Sequence, residues 1–119
     1  MPANSQPQEH DLDRIYAALR SVAYTGLSVG NAANAASEMG INPGTFTGAF
    51  DSRNGMGSRG TLWPVIDSEY NKFDVAGKRD ALCALASRLI AHNHASREEA
   101  VLANFGYRFS NGLFAELGD

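Results

Sequence analysis

Apolar residues recur along this chain mostly with the period of a helix. Leu12, Ile15, Tyr16, Leu19, Val22 and Ala23 form an i, i+3, i+4, i+7 stripe behind Asp11, which can serve as N-cap, and Gly26 ends the segment. Ser28 can cap a second, alanine-rich helix running to about Met39, and Gly40 fits the left-handed position after a helix end. Asn42-Pro43 reads as a cap followed by proline at the first helical position, opening a short third helix through about Phe50. Residues 51–60 are glycine-rich and predict a loop. A fourth helix is expected from near Thr61, carrying Leu62, Trp63, Val65, Ile66 and Tyr70, with Pro64 in its first turn. Asp74 can cap a fifth, whose Leu82, Leu85, Ala86, Leu89 and Ile90 form the cleanest stripe, broken at His92-Asn93-His94. Ser96 and Glu99 have the spacing of a capping box. The sixth helix expected behind them puts Leu102, Phe105, Phe109, Leu113 and Leu117 on one side, with Gly106 and Gly112 as weak points.

No segment alternates with period two for long, and no repeat is visible. The expected fold is therefore all-α, a compact bundle of about six helices that includes a helix-turn-helix-like pair. Residues 9–119 would form a single helical domain, with a tri-helical half over 9–52 and the C-terminal helices over 61–118. Residues 1–8, polar and with two prolines, predict a disordered tail.

Composition narrows the classes. A chain of 119 residues, 44% hydrophobic and 19% charged, is long enough for one core and has the balance of a soluble domain. No apolar run reaches the roughly 18–20 residues that span a bilayer, so no membrane is expected. The start of the chain lacks a basic, apolar leader, and the single cysteine, Cys83, excludes an internal disulfide; both point to the cytoplasm. Ten basic and thirteen acidic residues give a formal charge of −3, the wrong sign for bulk attraction to phosphate backbones.

One stretch, "GLSVGNAANAASEMGINPGTF", resembles the helix-turn-helix segment of bacterial and phage transcription regulators over residues 26–50. Ala36 stands where two helices cross closely, Gly40 stands at the turn, and Ile41, Phe46 and Ala49 fill inward apolar positions. The resemblance implies a nucleic-acid-binding regulator, with dimerisation supplying two half-sites. Its contact residues would be Thr45, Thr47, Ser52, Arg53 and Arg59. The outward positions of the third helix hold no Arg, Lys, Asn or Gln for bidentate base reading, and Asp51 would repel phosphate.

Other signals reduce to packing. Gly55 to Gly60, "GMGSRG", matches a dinucleotide-binding fingerprint in letters but follows no strand, so a loop is expected, with Arg59 its one group suited to a phosphate. His92 and His94 lack the further ligands that a metal needs and suit the end of a helix. Cys83 flanks a core stripe and has no base or acid close in sequence. No metal, cofactor or small-molecule substrate is expected, and no nucleophile–base pair or paired carboxylate points to an enzyme. The aromatic stretch Asn104 to Phe114 is denser than one helix face can bury. Either that helix is enclosed on two sides by its own domain, or Tyr107, Arg108, Phe109 and Phe114 are candidate contacts for a protein partner or homodimer. Two functions remain open: a helix-turn-helix regulator on nucleic acid, and a non-enzymatic protein-binding module, an adaptor or inhibitor, that uses its aromatic C-terminal segment.

Overall fold

Helical stripes need a common core, and the helices supply one. The computed structural model describes residues 7, 9–42, 59–110 and 112–116, with the side chains of residues 59, 61 and 110 outside that set. Within it are α1 (Glu9–Gly26), α2 (Val29–Glu38), α3 (Arg59–Asn71), α4 (Val75–Ala91) and α5 (Ala95–Ala103), then β1 (Tyr107–Ser110) and β2 (Leu113–Glu116). The fold is mostly helical, as expected, with one small antiparallel hairpin. The third expected helix and most of the glycine-rich loop lie outside the described residues. So does the expected tail, except Pro7, which is buried and whose carbonyl accepts from Arg79 Nε at 3.1 Å.

α1 buries all six residues of its stripe and packs against both α4 and α5. α2 buries Ala32, Ala35 and Ala36, small side chains that let its backbone come close to its neighbours. Leu62, Trp63, Ile66 and Tyr70 of α3 and Leu82, Leu85, Ala86 and Leu89 of α4 complete the same core. Tyr16 and Tyr70 stack at 4.0 Å between centroids, and Tyr70 donates to the Leu12 carbonyl at 3.2 Å, so the buried phenol is satisfied.

The helix ends follow local chemistry. Ser28 accepts from the Asn31 N–H at 3.1 Å and Asp74 from the Gly77 N–H at 2.8 Å, so both expected caps form. α2 closes in a Schellman turn: Ile41 N–H reaches the Ala36 carbonyl at 3.0 Å and Gly40 N–H the Ser37 carbonyl at 3.1 Å. Gly40 sits at φ +98°, where a side chain would be strained, and Ile41 folds back into the core. α4 ends the same way around Asn93 at φ +68°, with His94 N–H on the Leu89 carbonyl and Asn93 N–H on that of Ile90.

Several local expectations are corrected. α1 begins at Glu9, so Asp11 lies inside its first turn and is not the cap. α3 begins at Arg59, which places Pro64 in the second turn, where it cannot donate to the carbonyl four residues back. Ile90 is 38% exposed and leaves the α4 stripe. α5 starts at Ala95 after His94, so Ser96 is helical and the capping box does not form.

The largest correction is the sixth helix. It stops at Ala103, turns through Gly106 at φ +83°, and gives way to the hairpin. Tyr107 pairs with Glu116, Arg108 with Ala115, Phe109 with Phe114 and Ser110 with Leu113, around Asn111-Gly112. Asparagine-glycine is the favoured pair for a two-residue hairpin turn, and it outweighs the helical spacing of Phe105, Phe109 and Leu113. Cross-strand partners share a face, so Tyr107, Phe109, Phe114 and Glu116 project to one side and Arg108, Leu113 and Ala115 to the other. Burial agrees: Tyr107 and Phe114 are in the core, whereas Arg108 and Leu113 are exposed.

Candidate interaction surfaces

The residues expected to touch nucleic acid cannot be placed as a group. Thr45, Thr47, Ser52 and Arg53 lie outside the described residues, and Arg59 contributes only its backbone, as the first residue of α3. The turn after α2 is described: Ala36 is fully buried, Gly40 is left-handed and Ile41 is buried.

Charge on the described surface is largely spent within the molecule. Asp67 Oδ1 accepts from Tyr16 Oη at 2.5 Å and Arg20 Nε at 2.9 Å, tying α1 to α3. This carboxylate is the hub of a half-buried network. Burial, and then the bond to Asp67, holds the Tyr16 phenol well above its ordinary range, and the same carboxylate raises Arg20. Arg20 also lies 5.4 Å from the Trp63 ring centroid. Arg88 pairs with Glu38 through Nε and Nη2, one to each carboxylate oxygen, joining α4 to α2. Lys78 holds Asp13 at 2.9 Å and Lys72 holds Glu69 at 2.8 Å. Arg14 rests over Phe105 at 5.5 Å and Arg97 donates to Thr25 Oγ1 at 3.2 Å. Arg108 makes no ion pair with a described residue and is exposed.

Two of the grooves on this surface are lined by described residues. The larger, about 660 Å³, lies between the start of α1 and the start of α4, lined by Glu9, His10, Asp13, Phe73, Asp74 and Lys78. Three of its ionic groups already have structural roles, since Asp74 caps α4 and Lys78 pairs with Asp13. The smaller, about 380 Å³, lies between α4 and the hairpin tip and is lined by Ala76, Arg79, Asp80, Cys83, Gly112 and Leu113. Cys83 is half-buried there, and burial followed by the charge of Asp80 pushes its thiol up, away from the reactive thiolate.

The aromatic segment divides in two. Tyr107 and Phe114 are core residues: Tyr107 reaches Asp11 at 3.5 Å, and Phe114 meets Phe109 edge-on at 5.0 Å. They are corrected from partner contacts to packing, because the hairpin turns them inward. Phe109 is half-buried, and Arg108 stands on the outer face as a contact residue requires. Leu113, assigned by helical spacing to the core side, is 60% exposed on that same face. Reading Asn111-Gly112 as a hairpin turn would have found it.

His94 does not sit free at a helix end. Its Nε2 lies 2.9 Å from the Gly26 carbonyl and so carries the proton, covering the end of α1. Among the described residues no group of three or more His, Cys, Asp or Glu side chains is placed to hold a metal, and no helix is long and apolar enough to cross a membrane. Comparison with protein-family models, curated proteins and solved structures finds no match to this chain.

Proposed function

We propose that the chain is a non-enzymatic helical module that binds a protein partner through the outer face of its C-terminal hairpin and the adjoining side of α4. The observation that carries this reading is Leu113: a large aliphatic side chain, 60% exposed, beside a groove lined in part by Ala76 and Cys83. An exposed aliphatic next to an open groove fits a contact surface, and Arg108 on the same face adds a side chain favoured at interfaces. The pairing of Arg20, Lys72, Lys78 and Arg88 with carboxylates supports the same reading, since among the described residues it leaves fewer unpaired cations to hold phosphates. A photo-crosslinking residue placed at Leu113, in the cells of origin, tests it. Protein adducts from position 113 and none from exposed Asn34 on α2 are expected; adducts from neither, or equally from both, would overturn it.

A second reading is favoured by the corner after α2. The Schellman turn at Gly40, with Ala36 fully buried and Ile41 turned inward, is the geometry that a helix-turn-helix needs. On this reading the segment after Asn42 docks on nucleic acid, with Thr45, Thr47, Ser52, Arg53 and Arg59 toward the backbone. Titration with mixed-sequence duplex DNA at about 50 mM salt separates the two, because phosphate binding must weaken as salt rises. Absence of binding there removes the second reading.

A further inference from the structure

Among the described residues the hairpin has an unpaired edge, and its register says which groups lie along it. Asn111 and Gly112 alone separate the paired residues Ser110 and Leu113, so that pair closes the turn with mutual backbone hydrogen bonds. Bonded and non-bonded pairs alternate in an antiparallel ladder. Arg108 and Ala115 are therefore bonded to each other, whereas Phe109–Phe114 and Tyr107–Glu116 are not. It follows that Phe114 and Glu116 direct their backbone N–H and C=O away from β1. Among the described residues β2 pairs only with β1. An edge of this kind is a template for another strand.

We propose that the edge of β2 pairs with the same edge of a second copy of this chain, antiparallel about a two-fold axis at Phe114. This rests on reading the hairpin as the binding surface and names its occupant. The sequence of the edge is self-complementary in that register. Leu113 falls opposite the partner's Ala115 and Ala115 opposite the partner's Leu113, so in both copies the most exposed large hydrophobic residue described gains an apolar neighbour. Glu116 falls opposite the partner's Gly112, and the two Glu116 carboxylates are four strand positions apart, roughly 13 Å, beyond the Debye length of about 8 Å at physiological salt. Arg108 lies beside Ala115 on the outer face, with no cation facing it across the axis. A two-fold pairing uses one patch twice and ends there, giving a closed dimer of four strands instead of an open fibre. The edge is short, so the dimer is weak and depends on concentration.

The register also supplies a clean test. Glu116→Pro removes an outward N–H and leaves every bond between β1 and β2 in place, and Leu113→Lys sets a charge against the apolar contact. Sedimentation equilibrium of the full chain up to millimolar concentration reads the result, with urea unfolding confirming that each variant is folded. The wild type is expected to approach twice the monomer mass, and both variants to remain monomeric. If Glu116→Pro unfolds the chain, Leu113→Lys alone decides. A wild type monomeric throughout, or a dimer indifferent to Leu113→Lys, overturns the proposal. Crosslinking from position 113 separates this failure from that of the module: adducts with a different protein beside a monomeric wild type would sink the self-pairing and leave the module standing, whereas no adduct of any kind would sink both.

Discussion

Glu98 offers a quantitative check on the packing of α5. It sits one helical turn before Leu102 on the same face, is only 2% exposed, and has no partner for Oε2 among the described residues. Burial, and then the charge of neighbouring Glu99, pushes its carboxyl from 4.5 up to about 7. The folded state therefore favours the protonated acid, and the unfolded chain releases that proton more readily. Between pH 4.5 and 7 the native state holds more protons than the unfolded state, so stability falls as pH rises through this window and levels off above it. At about 1.4 kcal/mol per pH unit the full effect is about 3 kcal/mol. Glu98→Gln keeps the shape of the neutral acid and cannot ionise. At about pH 8 it is expected to be more stable than the wild type by up to about 3 kcal/mol, and at about pH 4.5 the two should agree closely. Urea unfolding followed by Trp63, the single tryptophan and fully buried, measures the difference. With a slope of about 1.5 kcal/mol/M the midpoints should differ by about 2 M at about pH 8. If Glu98→Gln destabilises the protein equally at both pH values, the carboxyl is held charged by partners and the reasoning fails.

Further outcomes follow from other contacts. A Cβ at Gly26 would lie 2.7 Å from His94 Nε2, so Gly26→Ala should cost about 1–3 kcal/mol, read by thermal melting, and His94→Ala in the same chain should relieve part of that loss. Asp67→Ala removes the acceptor shared by Tyr16 and Arg20 and leaves a buried phenol unpaired; a loss of about 2–3 kcal/mol in urea unfolding is expected, against under about 1 kcal/mol for Glu69→Ala, whose partner Lys72 is exposed. Asp74→Ala should cost about 1 kcal/mol through loss of the cap on α4, with Asp74→Ser or Asp74→Asn restoring most of it.

Where one rule governed a segment, the sequence was enough to read it. The stripe from Leu12 to Ala23, the caps at Ser28 and Asp74, and Gly40 at the corner all act within a few residues, and each appears as expected. The reading failed where two rules competed. Phe105, Phe109 and Leu113 fit a helical period, while Tyr107, Phe109 and the Asn111-Gly112 pair fit a hairpin. Over so short a span the turn decides, because positive φ at residues 106 and 112 costs glycine little while a helix would have to absorb both glycines. The consequence for the surface is direct: a helix would have put Leu113 on the core side, and the hairpin puts it outside.

Partners far apart in sequence set the remainder, above all for charged residues. Asp67 reads as a surface acid until α3 is laid against α1, where Tyr16 and Arg20, 51 and 47 residues away, converge on it. Glu98 and Glu99 are adjacent acids in the sequence, but the start of α5 at Ala95 turns Glu98 inward with Leu102 and leaves Glu99 outside. The net charge of −3 thus understates what the folded surface lacks: several of its cations are fastened to carboxylates of neighbouring helices. That bears on function more than the count itself. A helix-turn-helix corner on such a body would have to draw its phosphate contacts from Arg53, Arg59 and their neighbours, whereas a contact through the hairpin needs only Leu113, Arg108 and an open strand edge. Reversing Glu38 to Lys would free Arg88 and add charge beside the corner, and this discriminates the two. Salt-dependent DNA affinity should rise severalfold if the corner docks on nucleic acid, and crosslinking from Leu113 should be unchanged if the hairpin is the working surface.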